Sequence, residues 1–348
     1  MPDAVQRLDF QGVVIVADLI VADQYLSPHL RRNLEQTDQR TLQNLNDAIT
    51  SLGLHVVHYS HPKLLAKHAR RHAGDVVLSI FGGSTSRSRM ALVPAICETF
   101  GLSFIGPDAY GRIVCQDKEV SKALATTAGL KTPPHRIIRS TSDLDSVSDF
   151  TLPYVVKPLW EGSSIGIGPE SLVTDRQSGR RVAEQMLERF DQPIMVESFV
   201  RGREVSWCYI EGPRSTGIRS LAEIVWDGQQ DYFDRHLYDA HHKLSAEGRK
   251  AIRNISHELQ QRDASAMEKL LALVGPTGYG RIDGKLIDGS FIFLEITPDA
   301  WLGPTGTFAC SFADYGLSFD QIIARILLSA RRGHPSRSPN DSGTPDGT

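Results

Sequence analysis

Three absences narrow the field before any motif is read. The four cysteines (Cys97, Cys115, Cys208, Cys310) lie far apart and form no CxxC pair. That excludes a disulfide scaffold or a thiolate zinc site, and suits reduced, buried thiols of a cytoplasmic protein. Neither sign of charge dominates: 38 Lys and Arg stand against 41 Asp and Glu, a net −3. A chain so balanced offers no electrostatic footprint for nucleic acid or an anionic membrane. No apolar run approaches the roughly 20 residues of a membrane-spanning helix, and no basic segment followed by an apolar one opens the chain. Small molecules are the partners left.

What remains is the composition of a globular protein, 41% hydrophobic and 23% charged over 348 residues. That length predicts two or three domains. Gly12–Ala17, His55–Tyr59 and Asp75–Phe81 read as strands, and 38–52 and Met90–Phe100 as helices, an alternation that argues for a small open parallel sheet. A helix is expected over Lys118–Ala128. Strands follow at His135–Arg139, Tyr154–Lys157, Ile194–Phe199 and Glu204–Ile210, which is α+β texture. A polar, His-rich loop (231–245), a long helix at about 246–274, a hairpin (280–287 and 291–297) and a last helix at about 318–331 complete the ordered chain. The expected divisions are 1–112, 113–212 and 213–331. Residues 332–348, rich in Pro, Ser, Gly and Asp, are expected to be disordered.

Two segments carry the chemistry. In the first, Tyr154-Val-Val-Lys157, the two-residue period of a strand sets Lys157 on the face of Val155, and Pro158 ends the strand. A lysine at the end of a buried strand is costly unless an anion meets it. The turn that follows, with Glu161, Gly162, Ser163, Ser164, Gly166 and Gly168, can curl amides and hydroxyls around phosphate oxygens. In the second, Arg281 and Asp283 share one face of a strand, and Glu295 and Thr297 share one face of the next, with Phe291 and Phe293; Ile292, Leu294 and Ile296 are expected to hold the other face in a core. Paired carboxylates repel unless a cation lies between them, and Mg²⁺ bridging to phosphate is the usual answer. Between these segments, Glu197 and Glu204 flank an apolar hinge suited to a purine edge and a ribose.

In order along the chain come Gly101-Leu-Ser-Phe-Ile-Gly106, Asp117-Lys118, Val156-Lys-Pro-Leu-Trp-Glu-Gly-Ser-Ser-Ile-Gly166, Val196-Glu197 with Gly202-Arg-Glu204, Tyr238-Asp239 with Lys243, Arg281-Ile-Asp283 and Leu294-Glu-Ile296. Over roughly 75–330 the chain resembles the ATP-grasp superfamily, and within it the D-alanine–D-alanine ligase family. The resemblance implies an N-terminal parallel-sheet domain followed by two α+β subdomains with ATP between them, and a homodimer. It implies that Lys118 and Lys157 grip phosphates, and that Glu161, Gly162, Ser163 and Ser164 form the closing phosphate loop. Glu197, Ser198, Val200 and Glu204 would hold adenine and ribose. Tyr238 and Lys243 would belong to a mobile cover, Lys243 reaching the γ-phosphate. Asp283, Glu295 and Thr297 would hold Mg²⁺ or Mn²⁺, and Arg281 would stabilise an oxyanion. The implied reaction is ADP-forming carboxylate–amine ligation through an acyl phosphate.

The departures bear on substrate. Thr297 stands where the family has an asparagine, with Asp299 two residues on. The family's N-terminal Ser-x-Glu loop, which holds the first alanine's ammonium, has no counterpart in 18–30, and Asp18 or Asp23 would have to replace it. Arg87 and Arg89 occupy the loop after the third strand and could grip a carboxylate. Pro304-Thr-Gly-Thr307 replaces the family's His-Ser-Leu, leaving Thr305, Gly306 and Thr307 for the acceptor. The expected substrates are therefore other amino acids or amino-acid-like compounds, joined into a specialised dipeptide or cyclised. The alternatives are a true D-alanine–D-alanine ligase of peptidoglycan synthesis and a non-catalytic ATP-binding protein.

Overall fold

The computed structural model describes residues 9–20, 34–83, 86–212, 217–244 and 249–331. The expected disorder of 332–348, Asp23 and most of 18–30 lie outside these residues.

The first sheet is built from apolar runs that need cover on both faces. Strands β1 (Gly12–Val16), β2 (His55–Tyr59), β3 (Val76–Ser79) and β4 (Ser103–Ile105) pair in parallel in the order β2-β1-β3-β4. Helix α1 (Gln39–Ser51) starts where the Asp38 carboxylate accepts the Thr41 N–H at 2.8 Å. Its apolar stripe (Leu42, Leu45, Ile49) covers one face of that sheet. Helix α2 (Leu92–Phe100) stops at Gly101, whose φ of 66° is the left-handed cap.

Helices α3 (Ala109–Gln116) and α4 (Lys118–Ala128) then lead to a second, antiparallel sheet. Its strands β5 (His135–Ile138), β6 (Tyr154–Pro158), β7 (Leu172–Val173) and β8 (Ile194–Ser198) run in the order β5-β8-β6-β7 under helix α5 (Arg176–Phe190). The third sheet is also antiparallel, β11-β10-β9-β12-β13, from β9 (Arg203–Ile210), β10 (Ile218–Trp226), β11 (Lys250–Asn254), β12 (Tyr279–Ile287) and β13 (Ser290–Thr297). Helix α6 (Gln261–Val274) packs on it, and α7 (Phe319–Leu328) returns to α1 and the first sheet.

Two expectations are corrected here. The helix expected from about 246 starts only at Gln261, because Lys250–Asn254 is an edge strand paired with β10 from Trp226↔Lys250 to Ala222↔Asn254. Its burial alternates along the strand, a period of two inside a stretch read as helical. The second concerns β13. The ladder runs Gly284↔Phe293 and then Asp283↔Glu295, so Leu294 is an extra residue, a β-bulge. Phe291, Phe293 and Ile296 therefore all enter the core under α6, whereas Leu294 turns out to the site beside Glu295. Strict alternation had grouped Phe291 and Phe293 with Glu295, and Leu294 with Ile296.

Candidate active site

The second and third sheets close on a cavity lined on the apolar side by Val155, Ile167, Val200, Ile224 and Leu294. Lys157, Ser198 and Glu204 line the same space. Tyr154 and Val156, the opposite parity of β6, are core, so Lys157 is turned into the cavity by the strand period alone. It donates to Glu197 Oε1 at 2.7 Å, and the same carboxylate meets Lys122 from α4. Lys122 is a buried lysine that no motif flagged, and burial pulls its pKa down to about 8 against the pull of Glu197. Burial opposes ionisation of Glu197, but the two ammonium groups outweigh it and hold the carboxyl below its ordinary range. Glu204 pairs with another buried lysine, Lys285, at 2.9 Å.

The Gly/Ser loop leaves β6 with Ser163 and Ser164 both left-handed, at φ 50° and 60°. Side chains adopt that region rarely, and such strain clusters at ligand sites. Gly166 cannot carry a side chain, since its φ is 77° and a Cβ would stand 2.6 Å from the Pro158 ring. Ser164 Oγ donates to the Tyr238 carbonyl at 3.1 Å, so this loop and the segment carrying Lys243 already touch. Lys243 lies over the Tyr238 ring, 5.5 Å from its centroid. Burial lowers its pKa, helped by Arg281. Lys118 donates to the Glu161 carbonyl and stands 3.5 Å from Glu295.

At the far end, Asp283 and Glu295 face the same side of the hairpin. Asp283 accepts from Ser206 Oγ at 2.6 Å and Arg281 Nε at 2.9 Å, with Thr297 Oγ1 at 3.5 Å. Burial raises Asp283 despite Arg281. Burial also opposes ionisation of Glu295, but Lys118, Lys157, Lys243 and Arg281 together lower it. The surroundings thus push the two neighbouring carboxylates in opposite directions, Asp283 up and Glu295 down. Among the described residues no group of three His, Cys, Asp or Glu could hold a metal. The two carboxylates fit a Mg²⁺ whose other ligands come from phosphate and water. Asp299 cannot stand in for Thr297, because it is paired with buried Arg112 at 2.8 Å.

A larger cavity of about 310 Å³ opens from that end and shares Tyr238, Lys243, Arg281 and Glu295 with the first. Gly306 and Thr307 line it, and Thr305 is exposed and outside its lining. Arg87 and Arg89 do not line it either. Arg89, 4% exposed, pairs with Glu35 and, at 2.9 Å, with Glu161. Arg87 is exposed and lies over the Trp160 ring. Asp18 is spent on the Gly82 and Gly83 amides, at 2.8 and 2.9 Å. Instead Glu35, which nothing in its sequence context marked, lines the cavity and accepts the Gly162 N–H of the Gly/Ser loop at 2.6 Å.

A family model described as D-ala D-ala ligase C-terminus matches residues 124–328. The chain belongs to the D-alanine–D-alanine ligase family. It is an ATP-grasp enzyme, an ATP-dependent ligase of the class that forms a C–N bond and releases ADP. The D-alanine–D-alanine ligase of Syntrophobacter fumaroxidans is 28% identical over 257 residues, 73% of this chain and 79% of that protein. That of Cupriavidus pinatubonensis is 26% identical over 238 residues, 68% of this chain and 70% of that protein. In fold, the chain matches the D-alanine–D-alanine ligase of Bacillus anthracis with a TM-score of 0.67 at 17% identity, covering 92% of this chain and 97% of the other. The VanG D-Ala:D-Ser ligase of Enterococcus faecalis gives 0.65 at 18% identity, covering 92% and 99%.

Proposed function

We propose that this ligase joins two amino acids or amino-acid-like substrates through an acyl phosphate, and that its substrates are not two D-alanines. One observation carries the reading. The phosphate end of the nucleotide cavity opens directly into a second chamber, and Tyr238, Lys243, Arg281 and Glu295 line both. A reaction that first phosphorylates one substrate and then exposes it to another needs such a shared wall.

In this reading Lys118 and Lys157 take the phosphates, and Val155, Ile167, Val200, Ile224 and Leu294 sandwich the base. Glu204 receives the ribose. Asp283 and Glu295 would hold Mg²⁺, with Thr297 a neutral neighbour, and the ion when bound would supply charge neutralisation for the phosphates. A donor carboxylate oxygen attacks the γ-phosphorus, ADP leaves, and an amine then adds to the acyl carbon. Arg281 meets the oxyanion that forms as the C–N bond closes; collapse of that intermediate then breaks the C–O bond to phosphate, which departs, and the amine nitrogen gives up its proton. Catalysis here is positioning and charge stabilisation. Contact between Ser164 and the Tyr238 carbonyl closes the chamber, which protects an acyl phosphate from water.

The absent Ser-x-Glu loop, the commitment of Asp18 to backbone amides and the Pro304–Thr307 loop support substrates other than those named for the relatives. The test is ADP and phosphate release with Mg-ATP against paired D- and L-amino acids, with products identified by mass and hydroxylamine added to trap acyl phosphate. Release that requires two different partners and yields their condensation product supports the reading. D-alanine alone giving the dipeptide at full rate returns the chain to its relatives' reaction.

A further inference from the structure

Ligation leaves one carboxylate behind. The donor's carboxylate is consumed, but an acceptor amino acid keeps its own, ionised inside a closed chamber, where it needs a counter-charge. Every carboxylate lining the larger cavity already has a partner. Arg89 and the Gly162 N–H hold Glu35, Thr41 holds Asp38, Arg89 and Gln192 hold Glu161, Lys118 lies at Glu295, and Arg112 holds Asp299. Among the cations, Arg281 is bonded to Asp283, Lys118 donates to the Glu161 carbonyl and lies at Glu295, and Lys243, which no ion pair reaches among the described residues, stands where both cavities meet, at the phosphate end.

That leaves Lys250. It opens the edge strand β11, lines the cavity with Arg281 and Thr307, and is half-buried. Among the described residues no hydrogen bond or ion pair reaches its ammonium. Burial lowers its pKa; Cys310 opposes that and Arg281 adds to it, the electrostatics of a cation short of an anion.

The same cavity has an apolar lining as well: Ile20, Leu34, Ile80, Met90, Trp301 and Leu302. Trp301 is held there although 46% exposed. Its indole lies on Gly303 and Gly306, where a Cβ would stand 2.2 and 2.7 Å from ring atoms, and its Nε1–H donates to Thr41 Oγ1 at 3.0 Å. The chamber's roughly 310 Å³ reaches the range of sites that enclose whole small molecules.

We infer that the acceptor is an amino acid with a bulky apolar side chain, its carboxylate on Lys250 and its side chain against Trp301. This rests on the ligase reading above, and the test separates the two. The full chain, with Mg²⁺ and a non-hydrolysable ATP analogue, is titrated calorimetrically with both enantiomers of phenylalanine and leucine, with their carboxamides, and with alanine. At least one enantiomer of phenylalanine or leucine binds tenfold or more tighter than its amide and than alanine. Lys250→Met abolishes the acid-over-amide preference, Lys250→Arg keeps it, and Trp301→Ala erases the advantage over alanine. The inference is overturned by an amide binding as well as its acid, by a preference that survives Lys250→Met, by alanine matching phenylalanine, or by no binding of any of them. If the ATP analogue still binds in those cases, this inference fails alone; if the analogue fails too, the reading beneath it goes with it.

Discussion

Asp283 stands directly opposite Glu295 in the hairpin ladder, although a regular ladder continuing from Gly284↔Phe293 would have set Leu294 there. One extra residue in β13 thus brings two carboxylates to the same side, 12 residues apart in the chain. With Arg281 on Asp283 and Lys118 near Glu295, protein cations hold the pair together.

Thr297 lies beside that pair, its hydroxyl 3.5 Å from Asp283 Oδ2. Replacing it by asparagine adds a better neutral oxygen ligand without changing charge. Thr297→Asn is expected to leave the fold intact and to lower the Mg²⁺ concentration for half-maximal activity several-fold, altering the balance between Mg²⁺ and Mn²⁺. Metal titrations of both proteins check this, and unchanged metal dependence and rate would remove position 297 from the metal.

Arg281 lies at the wall common to both cavities. Losing an oxyanion donor of this kind costs about 10²–10³ in kcat. Arg281→Ala is expected to fall by that much while ATP-analogue affinity changes by no more than about threefold. Single-turnover kinetics beside equilibrium binding separate the two, and unchanged turnover would take Arg281 out of the oxyanion role.

Glu197 carries two buried lysines. Its folded pKa is depressed, so its stabilisation is fully present above its ordinary 4.5 and is lost as pH falls through the folded value. Glu197→Gln leaves Lys122 and Lys157 uncompensated and is expected to cost about 3–5 kcal/mol at pH 7. The wild type should also lose more stability than the variant between pH 7 and pH 3. Urea midpoints across that range are the measurement; parallel losses in the two proteins would contradict the assignment.

Arg89 joins Glu35, from the segment before α1, to Glu161 of the phosphate loop. Arg89→Met strands two largely buried carboxylates, and a loss of about 3 kcal/mol is expected. If Arg89 instead gripped a substrate, a substrate KM would rise with stability unchanged, so denaturation and kinetics together decide.

Local pattern carried much of this in the sequence. The period of two turned Lys157 away from Tyr154 and Val156, and Gly101 marked a helix end through its left-handed cap. Arg281 and Asp283 share a strand face, so their neighbourhood was legible from two-residue spacing. The bulge at Leu294 was not, because a single inserted residue leaves no mark in composition yet reverses the facing of all that precedes it. Lys250 was hidden for a related reason: five residues of an edge strand sat inside a stretch read as one long helix.

By itself, then, the sequence determined the family, the parallel first sheet and the facing of Lys157, Arg281 and Asp283, since these depend on short-range spacing and side-chain chemistry. Tertiary structure alone decided which charges are already neutralised. Glu35 reaching Gly162, Lys122 reaching Glu197, Arg112 reaching Asp299 and Lys285 reaching Glu204 are contacts between residues 75 to 187 positions apart. Pairing at such separations follows from how the sheets pack, and of the cations lining the second chamber it leaves only Lys243 and Lys250 without a hydrogen bond or ion pair to the ammonium among the described residues.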